Sequence, residues 1–316
     1  MTRRVAAIDC GTNSIRLLVA DVDARRAVLT DVAREMKIVR LGEGVDRTGR
    51  LSDAALDRTM GALREYADLI EALSPAAVRM VATSATRDAA NSQEFVDRVK
   101  KVLGVAPEVV TGDEEAALSF SGATRELAGT ALASPDGCPP PYLVTDIGGG
   151  STEFVLGGPA GVSGASSVDI GCVRMTERHL HADPPTRTEV AAATADIDSA
   201  LELVAASVPA EQARTLAGLA GSVTTVAGIA LGLDSYDAAR IHHSRISAAQ
   251  VHAVTSRLLG QTRAERAAIG VMHPGRIDVI GAGALVLDRI ITRFGFAEVL
   301  VSEHDILDGL VWSLVP

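Results

Sequence analysis

Tyr142-Leu-Val-Thr-Asp146 followed by Ile147-Gly-Gly-Gly-Ser-Thr152 and Glu153-Phe-Val-Leu156 reads as a strand, a glycine turn and a second strand. The chain carries the same arrangement once before, as Val5-Ala-Ala-Ile-Asp9, Cys10-Gly-Thr-Asn-Ser14 and Ile15-Arg-Leu-Leu-Val-Ala-Asp21. The copies are separated by a domain-scale interval, far longer than a solenoid repeat of about 20 to 50 residues. Each places an aspartate at a strand end and follows it with small residues whose N–H groups can converge on an anion. Three consecutive glycines after a buried strand are entropically costly and give little structural return, so their use points to function. Two such turns facing each other would clamp a phosphate chain.

Working outward, a third strand is expected near 27–32, an amphipathic helix over 53–73 capped by Ser52, and a strand over 77–83. Asn91 with Glu94 has capping-box spacing and opens a helix that stops at Gly104. A strand over 108–111 and a helix over 113–127 follow. Residues 128–141, rich in Pro, Gly, Ser and Ala, read as a linker. Beyond them Thr186 with Glu189, Ser247 with Gln250 and Thr262 with Glu265 each have capping-box spacing, and a strand over 297–302 precedes a last helix from about Asp305. The pattern is α/β, in two duplicated domains.

The 316 residues are 47% hydrophobic and 22% charged, without low-complexity tracts, which is globular composition long enough for two cores. A net charge of −10 excludes a protein that coats nucleic acid or anionic lipid. A polyanionic substrate would then need a local basic groove or a metal ion. Cys10, Cys138 and Cys172 are odd in number and far apart, which speaks against disulfides or structural zinc and for a reducing compartment. No signal-peptide apolar region forms before Asp9, so a cytoplasmic location is expected. The charge-free run 215–233 is about long enough to span a membrane, but its Gly, Thr and Ser content favours a buried strand, loop and helix.

Glu153 lies within an apolar strand, where an unpaired carboxylate is costly, so it is expected to bind a cation or face a cleft. With Asp146 across the turn it could hold Mg²⁺, which takes one or two carboxylates and leaves sites for water and phosphate oxygens. Asp113, Glu114 and Glu115 open a helix, where acidic residues also complement the helix dipole. Basic clusters at Arg174, Arg178, His179 and His181, and at Arg240, His242, His243 and Arg245, read equally as solvated charge or as a phosphate track.

Taken together, Asp9-Cys-Gly-Thr-Asn-Ser14, Ala82-Thr-Ser-Ala-Thr-Arg87, Thr111-Gly-Asp-Glu-Glu-Ala116, Asp146-Ile-Gly-Gly-Gly-Ser-Thr-Glu153 and Gly221-Ser-Val-Thr-Thr-Val-Ala-Gly228 make the chain resemble the exopolyphosphatase and guanosine pentaphosphate phosphatase family. The resemblance implies two duplicated actin-like ATPase (ribonuclease H-like) domains with a cleft between them, over 1–127 and 128–302, with a C-terminal helix of about 303–316 packing back on the first. It implies Mg²⁺-dependent hydrolysis of the terminal phosphoryl group of inorganic polyphosphate, or of guanosine pentaphosphate (pppGpp). A small-molecule kinase or a non-catalytic phosphate sensor ranks below both. By the same resemblance Glu115 is the general base, Asp146, Glu153 and Asp9 hold the metal, and Arg87 contacts the phosphate chain. Gly11, Thr12, Asn13, Ser14, Gly148, Gly149, Gly150, Ser151, Gly221 and Ser222 are the remaining phosphate-binding positions. A homodimer is expected, with no nucleic acid or membrane partner. The chain looks like the short, two-domain form, which favours shorter chains or a nucleotide over processive digestion.

Overall fold

The computed structural model describes residues 2–125, 127 and 137–315, and the chain divides into two compact units, Met1–Gly122 with Ile306–Pro316, and Ala123–Asp305. Residues 128–136 of the expected linker lie outside the described residues.

The first unit is built on a sheet of β1 (Arg3–Cys10), β2 (Ser14–Asp23), β3 (Val28–Ile38), β4 (Val78–Ala82) and β5 (Glu108–Val109), in the order β3-β2-β1-β4-β5. β1, β2 and β3 pair antiparallel, whereas β4 and β5 run parallel to β1. The third strand runs longer than its sequence signal, to Ile38, because pairing with β2 supplies what weak periodicity does not. β1 is buried on both faces, and its alternate residues enter two different cores. Ala6, Ile8 and Cys10 pack with Leu56, Leu63 and Tyr66 of helix Asp53–Leu73, while Val5 and Ala7 pack with Ile306, Leu307, Leu310 and Val311 of helix Ile306–Ser313. Asp308 of that last helix is buried and accepts two hydrogen bonds from the Arg34 guanidinium, at 2.6 and 3.4 Å.

In the second unit β6 (Tyr142–Ile147), β7 (Thr152–Gly158), β8 (Gly161–Val168), β9 (Thr215–Leu219), β10 (Arg245–Ser247) and β11 (Glu298–Val301) follow the order β10-β11-β9-β6-β7-β8. β6, β7 and β8 are antiparallel, and β9 and β11 run parallel to β6. With β10 set aside as an added antiparallel edge strand, this is the strand order and direction of the first unit, the repeated architecture of the actin-like fold. The charge-free run 215–233 forms β9 and helix Ala220–Ala230 with no loop between, and no helix of the described residues is long and apolar enough to cross a membrane.

Ser52 caps its helix through the Ala55 N–H, and the boxes at Thr186, Ser247 and Thr262 close in both directions. Asn91 does not form the expected box. Its side-chain amide instead exchanges two hydrogen bonds with the backbone of Leu51, a tertiary partner that outcompetes the local one.

Candidate active site

In the first unit the residues singled out by sequence gather at the carboxyl ends of β1, β4 and β5, where open parallel sheets bind ligands. After Asp9 the chain makes the Gly11–Ser14 turn, closed by the Gly11 N–H on Ser14 O. The turn is anchored from behind by the segment after β3. Val39 and Arg40 N–H donate to Asn13 O, and Gly42 N–H donates to Thr12 O. A Cβ on Gly42 would stand 2.2 Å from the Thr12 methyl, so the approach requires glycine. Thr12 Oγ1 also hydrogen-bonds Ser84 Oγ at 2.9 Å, tying this turn to the one after β4.

Three acidic residues begin helix Gly112–Thr124, and the structure separates them. Glu114 closes a capping box, accepting from Thr111 N–H and Oγ1, and these bonds hold its carboxyl below the usual range. Asp113 is exposed. Glu115 alone is buried, and its Oε2 accepts from Arg87 Nη1 at 3.2 Å. Arg87 also donates to Val110 O at 3.0 Å, which fixes the guanidinium against the end of β5. The expected base and the expected phosphate-contacting arginine are therefore neighbours.

In the second unit the turn Gly148–Ser151 is backed by the start of helix Cys172–His179. Cys172 N–H donates to Gly148 O, Val173 and Arg174 N–H donate to Gly149 O, and Gly171 N–H donates to Gly150 O. A Cβ on Gly171 would lie 2.3 Å from Gly149 O, so only glycine permits this contact. Three successive carbonyls thus satisfy the orphan donors of a helix N-terminus. In a planar trans peptide the C=O and the following N–H point in opposite directions. The N–H groups of Gly149, Gly150 and Ser151 consequently all point away from the helix, forming a nest of three donors with the helix dipole behind it.

Asp146 and Glu153 stand opposite each other across β6 and β7, and both are buried. Glu153 Oε1 accepts from Ser167 Oγ at 2.8 Å, a partner on β8 that sequence reasoning missed. At the matching register of the first unit Asp9 stands opposite Arg16, whose guanidinium donates to Asp9 Oδ2 at 2.6 and 3.0 Å. Asp9, expected among metal ligands, is ion-paired with a cation of its own unit. Among the described residues no group of three or more His, Cys, Asp or Glu side chains is gathered for a metal. The Asp146 and Glu153 pair nevertheless fits Mg²⁺ as a donor set, because opposed like charges are destabilising and two hard carboxylates leave positions for water and phosphate oxygens.

Ala220 adopts a left-handed conformation (φ 65°) at the abrupt passage from β9 into its helix, a strained backbone of the kind found at functional sites. The Arg276 guanidinium packs on Gly221, where a Cβ would lie 1.7 Å from it. No local motif announces Arg276; the bare Gly221 surface is its only trace in sequence. Ser222 Oγ turns toward Cys172 and Gly283, leaving its backbone rather than its hydroxyl for a ligand. Burial pushes the Cys172 thiol up, against the pull of Arg276, and burial with neighbouring Asp9 pushes up Cys10, so neither is a thiolate nucleophile.

The basic clusters are mostly engaged within the second unit. Arg174 Nε donates to Gly150 O, Arg178 and His179 both reach Asp196, Arg245 pairs with Glu298, and His242 Nδ1 accepts the Glu303 N–H.

The model of the Ppx/GppA phosphatase family matches residues 18–316. Exopolyphosphatase 2 of Mycobacterium tuberculosis is 52% identical over 322 residues, covering 98% of each chain. A crystal structure of an exopolyphosphatase-like protein superposes with a TM-score of 0.92 at 44% identity, again over 98% of each chain. A guanosine-5'-triphosphate,3'-diphosphate pyrophosphatase of Aeromonas salmonicida is 28% identical over 98% of this chain and 59% of its own length.

Proposed function

The chain belongs to the Ppx/GppA phosphatase family, and on that premise we propose that it is an exopolyphosphatase, hydrolysing the terminal phosphoryl group of inorganic polyphosphate to orthophosphate. The observation that carries the reading is the three-donor nest of Gly149, Gly150 and Ser151 beside two buried, opposed carboxylates. A nest takes the oxygens of an anion, and the carboxylates supply the place for the cation such an anion requires. Glycine-turn binding of phosphate also agrees with the acidic net charge, because the neutralisation is local.

In the proposed mechanism phosphate oxygens are bound by the backbone donors of the glycine turns, with Arg87 in the first unit and Arg276 in the second supplying positive charge. Asn13 and Ser14 are the candidates in the first turn, whose Gly11 N–H closes the turn itself, and Gly221 is the candidate at the start of the helix after β9. Mg²⁺, held by Asp146 and Glu153, would supply charge stabilisation to the phosphoryl group in flight. Glu115 accepts the proton of a water molecule and orients it for in-line attack at phosphorus, and the shortened phosphate chain leaves. Arg87, paired with Glu115 in the free protein, is drawn to the phosphate oxygens, which releases the carboxylate to act as a base. Asp9 is assigned to holding Arg16 rather than the metal. Most of the rate acceleration is positioning and electrostatics, so the protein supplies rigid donors and one base.

The second reading, removal of the 5' γ-phosphate of pppGpp, uses the same groups and is favoured by the resemblance to the Aeromonas protein. Phosphate release from tripolyphosphate, long polyphosphate, pppGpp and ATP, side by side with Mg²⁺, tests both. Polyphosphate is expected to be the best substrate. Release from pppGpp alone would select the second reading, and release from none would end the hydrolase assignment.

A further inference from the structure

The Gly150–Ser151 peptide is the last member of the three-donor nest, and Gly150, having no Cβ, puts no steric bar of its own on that peptide turning over. A flipped peptide would aim a carbonyl at a bound phosphate instead of the Ser151 N–H. Two donors oppose that flip by holding the Gly150 carbonyl on the far side: the Gly171 N–H at 3.1 Å and Arg174 Nε at 2.8 Å. The second bond is charge-assisted and therefore the stronger. The Arg174 side chain is 11% exposed, and its Nη2 lies 3.6 Å from the carboxylate of Asp169, which is itself exposed. Arg174 Nε thus addresses the back of the turn, opposite the face that presents the nest.

Resting on the phosphate-binding reading above, we propose that Arg174 is a positioning residue: it fixes the Gly150–Ser151 peptide so that the Ser151 N–H meets a substrate phosphate, and so sets phosphate affinity without contacting the substrate. The sequence offered Arg174 as part of a track along a polymer, and the two roles predict different dependences on chain length. A residue that tracks the polymer matters more for long chains. One that shapes the terminal-phosphate nest matters equally for all.

The test uses the full chain and two readouts, KM and kcat on tripolyphosphate and on long polyphosphate, and calorimetric binding of tripolyphosphate in a Glu115→Gln background. Arg174→Ala is expected to raise KM and the dissociation constant about tenfold or more, the equivalent of one lost charge-assisted bond, by the same factor for both lengths. Arg174→Lys should recover much of that loss, because an ammonium can still donate to the Gly150 carbonyl. Unchanged affinity in Arg174→Ala, or a loss confined to long chains, would overturn the proposal. Should Arg174→Ala not fold, Asp169→Asn decides: it frees the guanidinium from its outer partner, a KM rise of a few-fold is expected, and an unchanged KM overturns the proposal. Failure of the phosphate reading itself has a separate signature, which is the absence of tripolyphosphate binding with Arg174 intact.

Discussion

Asp146 and Glu153 face each other across β6 and β7 at the same register at which Asp9 faces Arg16 across β1 and β2. The duplicated hairpin has therefore diverged at one position into an acid–base pair in one unit and an acid–acid pair in the other. The first is neutral by itself, while the second is the pair proposed to hold the cation. Activity and metal-free stability are expected to move in opposite directions when one acid is removed. Glu153→Gln should lower turnover by at least about 100-fold at ordinary Mg²⁺, yet leave the chelated protein as stable as the parent or more so, because opposed like charges cost a few tenths to about 1 kcal/mol. Mg²⁺ should raise the melting temperature of the parent and not of the variant. Full activity in the variant would remove the pair from metal binding.

Glu115→Gln is expected to lower kcat by about 10²- to 10⁴-fold with substrate affinity retained, the cost of losing a general base in an isosteric side chain. Glu114→Gln and Asp113→Asn should leave turnover within a few-fold, since one carboxylate closes a cap and the other is exposed. Phosphate-release kinetics on the three variants check the ranking, and a larger loss in Glu114→Gln would reverse the assignment.

Leu310→Ala is predicted to destabilise the first unit by about 2–5 kcal/mol, because Leu310 is fully buried between the last helix and the outer face of the sheet. Arg34→Ala should act in the same direction by roughly 3 kcal/mol, since it removes the guanidinium paired with the buried Asp308 carboxylate. Denaturant unfolding measures both. Equal loss of both units' structure in step would instead indicate a single cooperative transition.

Glu189 accepts four hydrogen bonds, from Thr186 N–H and Oγ1 and from the N–H groups of His181 and Ala182, and the backbone bond of Thr186 leads in pulling its carboxyl down to about 2. The folded value lies below the ordinary 4.5. Its contribution is hence complete above about pH 4.5 and is lost as pH falls toward 2. Acid unfolding followed at helix Arg187–Ser207 should lose that limb in Glu189→Gln, and NMR titration of the carboxyl should show the low midpoint directly. An ordinary midpoint would refute it.

The two hairpins, their turns and three capping boxes were legible in sequence because each is a local pattern whose partners lie within a few residues. So was the opposition of Asp146 and Glu153, which follows once the turn between them is placed. Thr111 with Glu114 carries the same signature as the boxes at Thr186 and Thr262, yet Thr111 falls within the expected strand 108–111, which in the structure ends at Val109. Asn91 failed for the opposite reason, a local signature overruled by Leu51, forty positions away. Arg276 on Gly221, Ser167 on Glu153 and the approach of Gly42 and Gly171 to the two turns were illegible, because each depends on distant backbone brought within van der Waals contact. Apart from the family resemblance, which already names Glu115, only burial separates it from its two neighbours, and no spacing rule contains that information.

The return of residues 306–313 to the first unit also orders events during synthesis. The second unit, Ala123–Asp305, is contiguous in sequence and can close as soon as it has been made. The first cannot, because the face of its sheet carrying Val5, Ala7 and Leu18 stays uncovered until Ile306, Leu307 and Leu310 arrive. A nascent chain carries an open apolar surface for the whole time the second unit is being translated. The unit that emerges first from the ribosome is the one completed last.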